Sequence, residues 1–139
     1  MAALNFHFDI DGEDFSSAGE ASAAVKKKLR QLGFPSDVIR RCAIAMYEGE
    51  INMVIHANGG TADVAVYPDK IVIMLEDHGP GIPDVELAMQ EGYSTSTEQI
   101  RNMGFGAGMG LPNMKRNTQS LEIESTVGVG TKITMTVSV

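Results

Sequence analysis

The stretch VIRRCAIAMYEGEINMVIHA, from Val38 to Ala57, decides the fold of this chain. Projected at about 100° per residue, its apolar residues cover most of a helical surface, which predicts a helix packed on several sides. Pro35-Ser36-Asp37 precedes the stretch as a helix start, and Asn58-Gly59-Gly60 follows it as a C-cap. We therefore expect a central helix around which the rest of the chain is arranged.

Shorter elements are predicted on both sides of this helix. Ser17 is the expected N-cap of an earlier helix, with Glu20 as its capping-box partner and Gly33 as its end. Alternating runs bounded by turn residues indicate strands. The expected elements besides the central helix are a strand at Leu4–Ile10, a helix at about Ala18–Leu32, strands at Thr61–Tyr67 and Lys70–Glu76, a short helix at Asp84–Gln90, a loop from Glu91 to Gly110, a helix from Leu111 to about Asn117, and a hairpin of Gln119–Thr126 and Thr131–Val139.

Composition restricts the class of protein. A length of 139 residues with 43% hydrophobic content predicts one domain over residues 1–139. The 11 Lys+Arg against 18 Asp+Glu give a net charge of −7, which argues against nucleic acid as the main partner. Cys42 is alone, and neither a secretory signal nor a membrane span is visible. We expect a cytoplasmic protein with no membrane partner.

Glu48, Asn52 and His56 follow one another at four-residue steps in the central helix. They lie on one slowly drifting stripe of an otherwise apolar helix. Each alone is explained by a structural hydrogen bond, and Arg41, on nearly the same stripe, is an available partner for Glu48. Together, the Glu48 carboxylate and the Asn52 amide can hold a cation or position a hydroxyl beside a phosphate.

Two glycine motifs carry further chemistry. In Asp77-x-Gly79-x-Gly81, an aspartate at a strand end can accept from an exocyclic amine such as that of adenine, although such a stretch is often an ordinary turn. The run Gly104-Phe-Gly-Ala-Gly-Met-Gly110 places alternate glycines before a helix. Successive backbone N–H groups of this kind form an anion site, whereas the alternative is a flexible hinge. Gly128-Val-Gly-Thr131 by itself is turn chemistry.

In this order, the four motifs resemble the ATP-binding domain shared by histidine kinases, gyrase, Hsp90 and MutL. With no dimerisation helix visible before them, the chain is similar to the small bacterial serine/threonine kinases of partner-switching systems. The stretches Glu91-Gly-Tyr-Ser-Thr-Ser and Gly110-Leu-Pro-Asn-Met-Lys115 resemble most closely the switch kinases of stressosomes. The implied fold is a two-layer α/β sandwich, with a mixed β-sheet covered on one face by helices and a mobile Gly-rich lid over about residues 91–110.

The resemblance also implies roles for matching residues. Glu48 would be the general base for a partner's serine or threonine hydroxyl, and Asn52 would coordinate Mg²⁺. Asp77 would contact the adenine amine, with Thr131 beside it. The residues implied to bind ATP are Asn52, Asp77, Gly79, Gly81, Gly104, Gly106, Gly108, Gly110, Leu111 and Thr131.

The implied activity is that of an ATP- and Mg²⁺-dependent protein serine/threonine kinase whose substrate is a STAS-domain antagonist, either an anti-anti-sigma factor or a stressosome protein. The alternative is an anti-sigma factor that acts mainly by nucleotide-dependent sequestration of a sigma factor. An ATPase or a detached histidine-kinase catalytic domain is less favoured. The sequence leaves open whether a phosphatase is also a partner, whether the chain is a homodimer, and what His56, Arg41 and Arg101 do.

Overall fold

The computed structural model describes residues 4–12, 19–56, 59–81 and 110–139. The expected short helix at residues 84–90 and the expected lid at about 91–110, apart from Gly110, lie outside the described residues. Most of the expected elements are present with small shifts at their ends. The elements are β1 (Leu4–Asp11), α1 (Glu20–Gln31), α2 (Ser36–His56), β2 (Gly59–Val66), β3 (Lys70–Asp77), α3 (Gly110–Arg116), β4 (Ser120–Thr126) and β5 (Gly130–Ser138).

The five described strands form one sheet in the order β1-β2-β3-β5-β4, and every neighbouring pair is antiparallel. The α/β sandwich is therefore confirmed, while the expectation of a mixed sheet is corrected to an antiparallel one. The reason lies in the connections. The chain passes over the sheet twice, through α1 and α2, between β1 and β2, so β2 returns beside β1 in the opposite direction. The pairs β2–β3 and β4–β5 are consecutive in the chain, and β5 inserts between β3 and β4.

The core lies between the sheet and the helices. Alternate residues of β2, β3 and β5 point toward the helices and are buried, among them Val64, Ile73 and Met135. α2 contributes side chains from several sides, as its sequence predicted. No described helix covers the other face of the sheet, where His7 on β1 contacts Asp63 on β2. The expectation of helices on one face agrees with this arrangement.

Cys42 occupies the buried side of α2. Burial raises the pKa of its thiol to about 12, so the thiol is protonated at neutral pH and packs as a small apolar group. Among the residues that the structure describes, no helix is both long and apolar enough to cross a membrane.

The N-terminus of α1 is capped by a residue of α2. Gly19 is the N-cap, with a left-handed φ of 98° and no side chain to offer, so the expected capping box of Ser17 and Glu20 is wrong. Glu50, only 2% exposed, replaces it. Its Oε2 accepts hydrogen bonds from the N–H groups of Gly19 (2.7 Å) and Ala21 (3.3 Å), and its Oε1 accepts from Ser22 (3.1 Å).

This carboxylate satisfies N–H groups that a helix start leaves without intrahelical partners, and its charge suits the positive end of the helix dipole. The same contacts explain how a charged residue is tolerated in the core, because each of its oxygens is hydrogen-bonded. Glu50 therefore joins α1 to α2 through a buried polar contact.

Replacing Glu50 with Gln tests this contact. We expect Glu50→Gln to lower the free energy of unfolding by about 1–3 kcal/mol, because an amide NH₂ would face backbone donors and the charge would be lost. Urea denaturation measures the change. Glu122→Gln, the same substitution at an exposed position of β4, is the control and should change stability by less than about 0.5 kcal/mol. Equal stability of the Glu50 and Glu122 variants would contradict the capping role.

Candidate functional site

Glu48 and Asn52 lie one helical turn apart on α2, and both are half-buried. Oε1 of Glu48 accepts a hydrogen bond from Nδ2 of Asn113 on α3, at 3.2 Å. His56 is the last residue of α2, and its side chain lies outside what the structure describes. The structure thus places Glu48 against α3, with Asn52 one turn further along α2.

Arg41 is not the partner of Glu48. Its guanidinium donates to the carboxylate of Asp37 (3.0 Å), to the side-chain oxygen of Gln119 (3.2 Å) and to the carbonyl of Ser138 (3.2 Å). These bonds tie the start of α2 to the edge where β4 begins and β5 ends. The hypothesis of an Arg41–Glu48 pair is therefore wrong, and Glu48 has no described cation as its partner.

Asp77 is the last residue of β3 and is directly opposite Thr131 of β5. Its Oδ1 accepts hydrogen bonds from the N–H groups of Gly79 (3.0 Å) and Thr131 (3.2 Å). Both bonds use Oδ1, and no described backbone N–H donates to Oδ2. The carboxylate is fixed by the backbone on one oxygen, so the other can accept from a bound molecule.

The loop that follows Asp77 lies on the turn between β4 and β5. The N–H of Gly128 donates to the carbonyl of Pro80, at 2.9 Å. Gly81 has a φ of +80°, and a Cβ on it would lie 2.9 Å from Cα of Val127. Gly81 must therefore lack a side chain, because its backbone packs against this turn. Gly79 has a different task, since its N–H donates a hydrogen bond to Asp77.

Thr131 is buried, and its hydroxyl is 2.8 Å from the hydroxyl of Ser125 on β4. Ser125 lies directly across from Thr131 in the β4–β5 pair. None of the four sequence motifs includes Ser125, although the hairpin register could have indicated it. A side-chain hydroxyl pair therefore borders Asp77 at this end of the sheet.

The rest of the expected site is divided between described and undescribed residues. Gly110 begins α3, and Leu111 is buried in the core, so its side chain anchors the helix. Gly104, Gly106 and Gly108 lie outside the described residues. In the described part of the chain, no three His, Cys, Asp or Glu side chains are grouped to hold a metal ion.

Comparison with known proteins agrees with this arrangement. Residues 37–139 match the family described as histidine kinase-, DNA gyrase B-, and HSP90-like ATPase. The chain belongs to this family. The match includes both α2 and the Asp77 loop, so the resemblance of the four motifs is confirmed.

Two members of this ATPase family are similar in sequence to this chain over most of their own length. The serine/threonine-protein kinase RsbT of Bacillus subtilis is 33% identical over 108 residues, which cover 75% of each chain. An anti-sigma F factor of Thermoanaerobacter sp. (strain X514) is 37% identical over 142 aligned positions, covering 98% of this chain and 92% of the relative.

A crystal structure of the RsbU and RsbW domains of Rv1364c from Mycobacterium tuberculosis is similar in fold. The TM-score is 0.65 at 16% identity, over 96% of this chain and 32% of the other. At this identity the similarity shows a shared fold and no more.

Gly81 and Gly128 both have a left-handed backbone conformation, but only Gly81 is crowded by neighbouring atoms. Gly81 (φ +80°) is crowded by the β4–β5 turn, whereas a Cβ added to Gly128 (φ +82°) would have no described atom within 4 Å. Alanine at either site should cost about 1–2 kcal/mol for its φ. We expect Gly81→Ala to cost about 1–3 kcal/mol more, from overpacking against the backbone of Thr126 and Val127.

Urea denaturation of the two alanine variants measures this difference directly. Gly128→Ala is the matched control, because it has the same backbone strain without the contact. If both variants lose the same stability, the close packing of the Asp77 loop on the turn is not the reason for Gly81.

Proposed function

We propose that this chain is an ATP- and Mg²⁺-dependent protein serine/threonine kinase of a partner-switching system, acting in the cytoplasm on a STAS-domain partner protein. The observation that carries the proposal is the pair Glu48 and Asn52, half-buried one turn apart on α2, with Glu48 in contact with α3. The family supplies the nucleotide class, and RsbT, 33% identical, is a relative named as a serine/threonine kinase.

The proposed adenine contact is Oδ2 of Asp77. Since the backbone of Gly79 and Thr131 holds Oδ1, the carboxylate has a fixed direction in which to accept a hydrogen bond from the adenine 6-amino group. The hydroxyls of Thr131 and Ser125 border the same position. A fixed acceptor of this kind selects adenine because a base without the amine would leave the half-buried acceptor unpaired.

The residues present fit a magnesium ion. Mg²⁺ prefers oxygen ligands and is usually bound through one or two protein side chains together with substrate phosphates. Asn52 would hold it through the amide oxygen, with the Glu48 carboxylate one turn away. When bound, the ion would neutralise phosphate charge during transfer. The glycine-rich segment at residues 104–110 is proposed to hold the phosphates through its backbone N–H groups.

Glu48 is the proposed general base. In the transfer, the hydroxyl oxygen of a serine or threonine on the partner bonds to the γ-phosphorus of ATP, and the bond to ADP breaks. The hydroxyl proton passes to the Glu48 carboxylate. The chain's own contribution is alignment of the two reactants and removal of this proton.

Incubation with Mg-ATP labelled at the γ-phosphate and each STAS-domain protein of the same genome tests the proposal. One of these proteins should become phosphorylated on serine or threonine. Nucleotide binding without label on any of them would contradict kinase activity.

Nucleotide binding without phosphate transfer would favour a second candidate function, that of an anti-sigma factor that acts by sequestering a sigma factor. The similarity to an anti-sigma F factor over 98% of the chain supports this alternative. Co-purification of a sigma factor in the presence of ATP, without transfer to any partner, would distinguish it.

Replacement of Glu48 separates catalysis from binding. We expect Glu48→Gln to lower the rate of phosphate transfer by about 10²–10⁴-fold, the usual contribution of a general base. ATP affinity, measured by calorimetry, should stay within about twofold, because the adenine contact is elsewhere. Glu124→Gln, on the exposed side of β4, is the control and should transfer at the wild-type rate. A Glu48→Gln variant that transfers normally would show that another group removes the proton.

A further inference from the structure

Three side chains form a hydrogen-bonded series from α3 to the proposed base. Arg116 Nη1 donates to Asn113 Oδ1 at 3.3 Å, and Asn113 Nδ2 donates to Glu48 Oε1 at 3.2 Å. Asn113 is half-buried, and α2 and α3 pack directly on each other. None of the four motifs of the sequence includes Asn113.

The two partners determine which way the Asn113 amide points. A carboxylate can only accept hydrogen bonds and a guanidinium can only donate them, whereas an amide does both at opposite ends. The NH₂ group must therefore face Glu48, and the carbonyl must face Arg116. The reversed amide would place a donor against Arg116 and an acceptor against the carboxylate.

Gly49, the residue after Glu48, allows α2 to pack closely on Leu75 of β3. A Cβ at Gly49 would collide with Cδ1 of Leu75 and would lie 3.6 Å from Sδ of Met114 on α3. Met114, which follows Asn113 in the sequence, is fully buried. A glycine inside a helix carries a cost in stability, and here it leaves room for Leu75, whereas Met114 of α3 would stay at ordinary van der Waals distance.

We propose that Asn113 is a positioning residue for Glu48: its amide, oriented by Arg116, holds the carboxylate in the direction that proton removal requires. The inference rests on the proposed kinase function. A glutamate has three rotatable bonds, so an unheld carboxylate samples many directions, and a bond to a charged acceptor restricts it.

Asn113→Ala tests the inference in a single-turnover transfer assay with saturating Mg-ATP and the STAS-domain protein that the wild type phosphorylates. We expect the rate to fall about tenfold, the worth of one hydrogen bond to a charged group, with ATP affinity within about twofold of wild type. In a Glu48→Gln background, the same substitution should have less than about a twofold effect, because Asn113 acts through Glu48.

Asn117→Ala is the matched control. Asn117 is also half-buried, and its Nδ2 donates to the backbone carbonyl oxygen of Asn113 at 2.8 Å, so it contacts neither the Asn113 side-chain amide nor Glu48. This substitution removes an amide hydrogen bond at the same end of α3 and should leave the transfer rate within about twofold. Asn113→Asp is a second variant, which keeps the size and the bond to Arg116 but places an acceptor against Glu48, and it should slow transfer at least as much as Asn113→Ala.

The possible outcomes are distinct. A wild-type chain that labels no STAS-domain protein contradicts the proposed function, and the inference fails with it. If the wild type transfers phosphate and either Asn113 variant matches its rate, the proposed function stands and the positioning role is wrong. A tenfold loss that persists in the Glu48→Gln background would also overturn the positioning role, since Asn113 would then act independently of Glu48.

Discussion

The carboxylate of Asp77 is the contact on which the candidate site depends. It accepts from the backbone of Gly79 and of Thr131, so a single oxygen joins the end of β3, the loop that follows, and the interior strand β5. The loop in turn rests on the β4–β5 turn through Gly81 and the Gly128–Pro80 hydrogen bond. These contacts fix the direction of the second carboxylate oxygen without any bound molecule, which is the property expected of a preorganised binding site.

Helix α2 supplies the other half of the site and is held on two sides. On one side, Glu50 satisfies the first N–H groups of α1. On another, Gly49 allows Leu75 of β3 to pack closely, and Glu48 contacts Asn113 of α3. Glu48 and Glu50 are two residues apart and thus point in different directions, one toward a structural task and the other toward the proposed chemistry. The same short segment therefore anchors the helix and presents the proposed base.

The features that the sequence predicted are those determined by local patterns. The helical spacing in Val38–Ala57 indicated α2, and the turn at Pro68-Asp69 indicated the β2–β3 hairpin. Glycine density identified the loop after Asp77. The capping of α1 could not be predicted in this way, because Glu50 is 31 residues from Gly19 and only the packing of two helices brings them together. Two partners of Arg41 are also remote in sequence, namely Gln119 and Ser138. The contact between Asn113 and Glu48 likewise joins residues far apart in the chain.

Calorimetric titration with Mg-ATP and, separately, with Mg-GTP tests the central claim most directly. Asp77 presents a fixed acceptor, adenine offers an amine to it, and guanine places a carbonyl oxygen at the corresponding position. We predict a heat of association with Mg-ATP and an affinity for Mg-GTP at least about tenfold weaker. Equal affinity for the two nucleotides would contradict the assignment of Asp77, and absence of any heat with Mg-ATP would contradict the site as a whole.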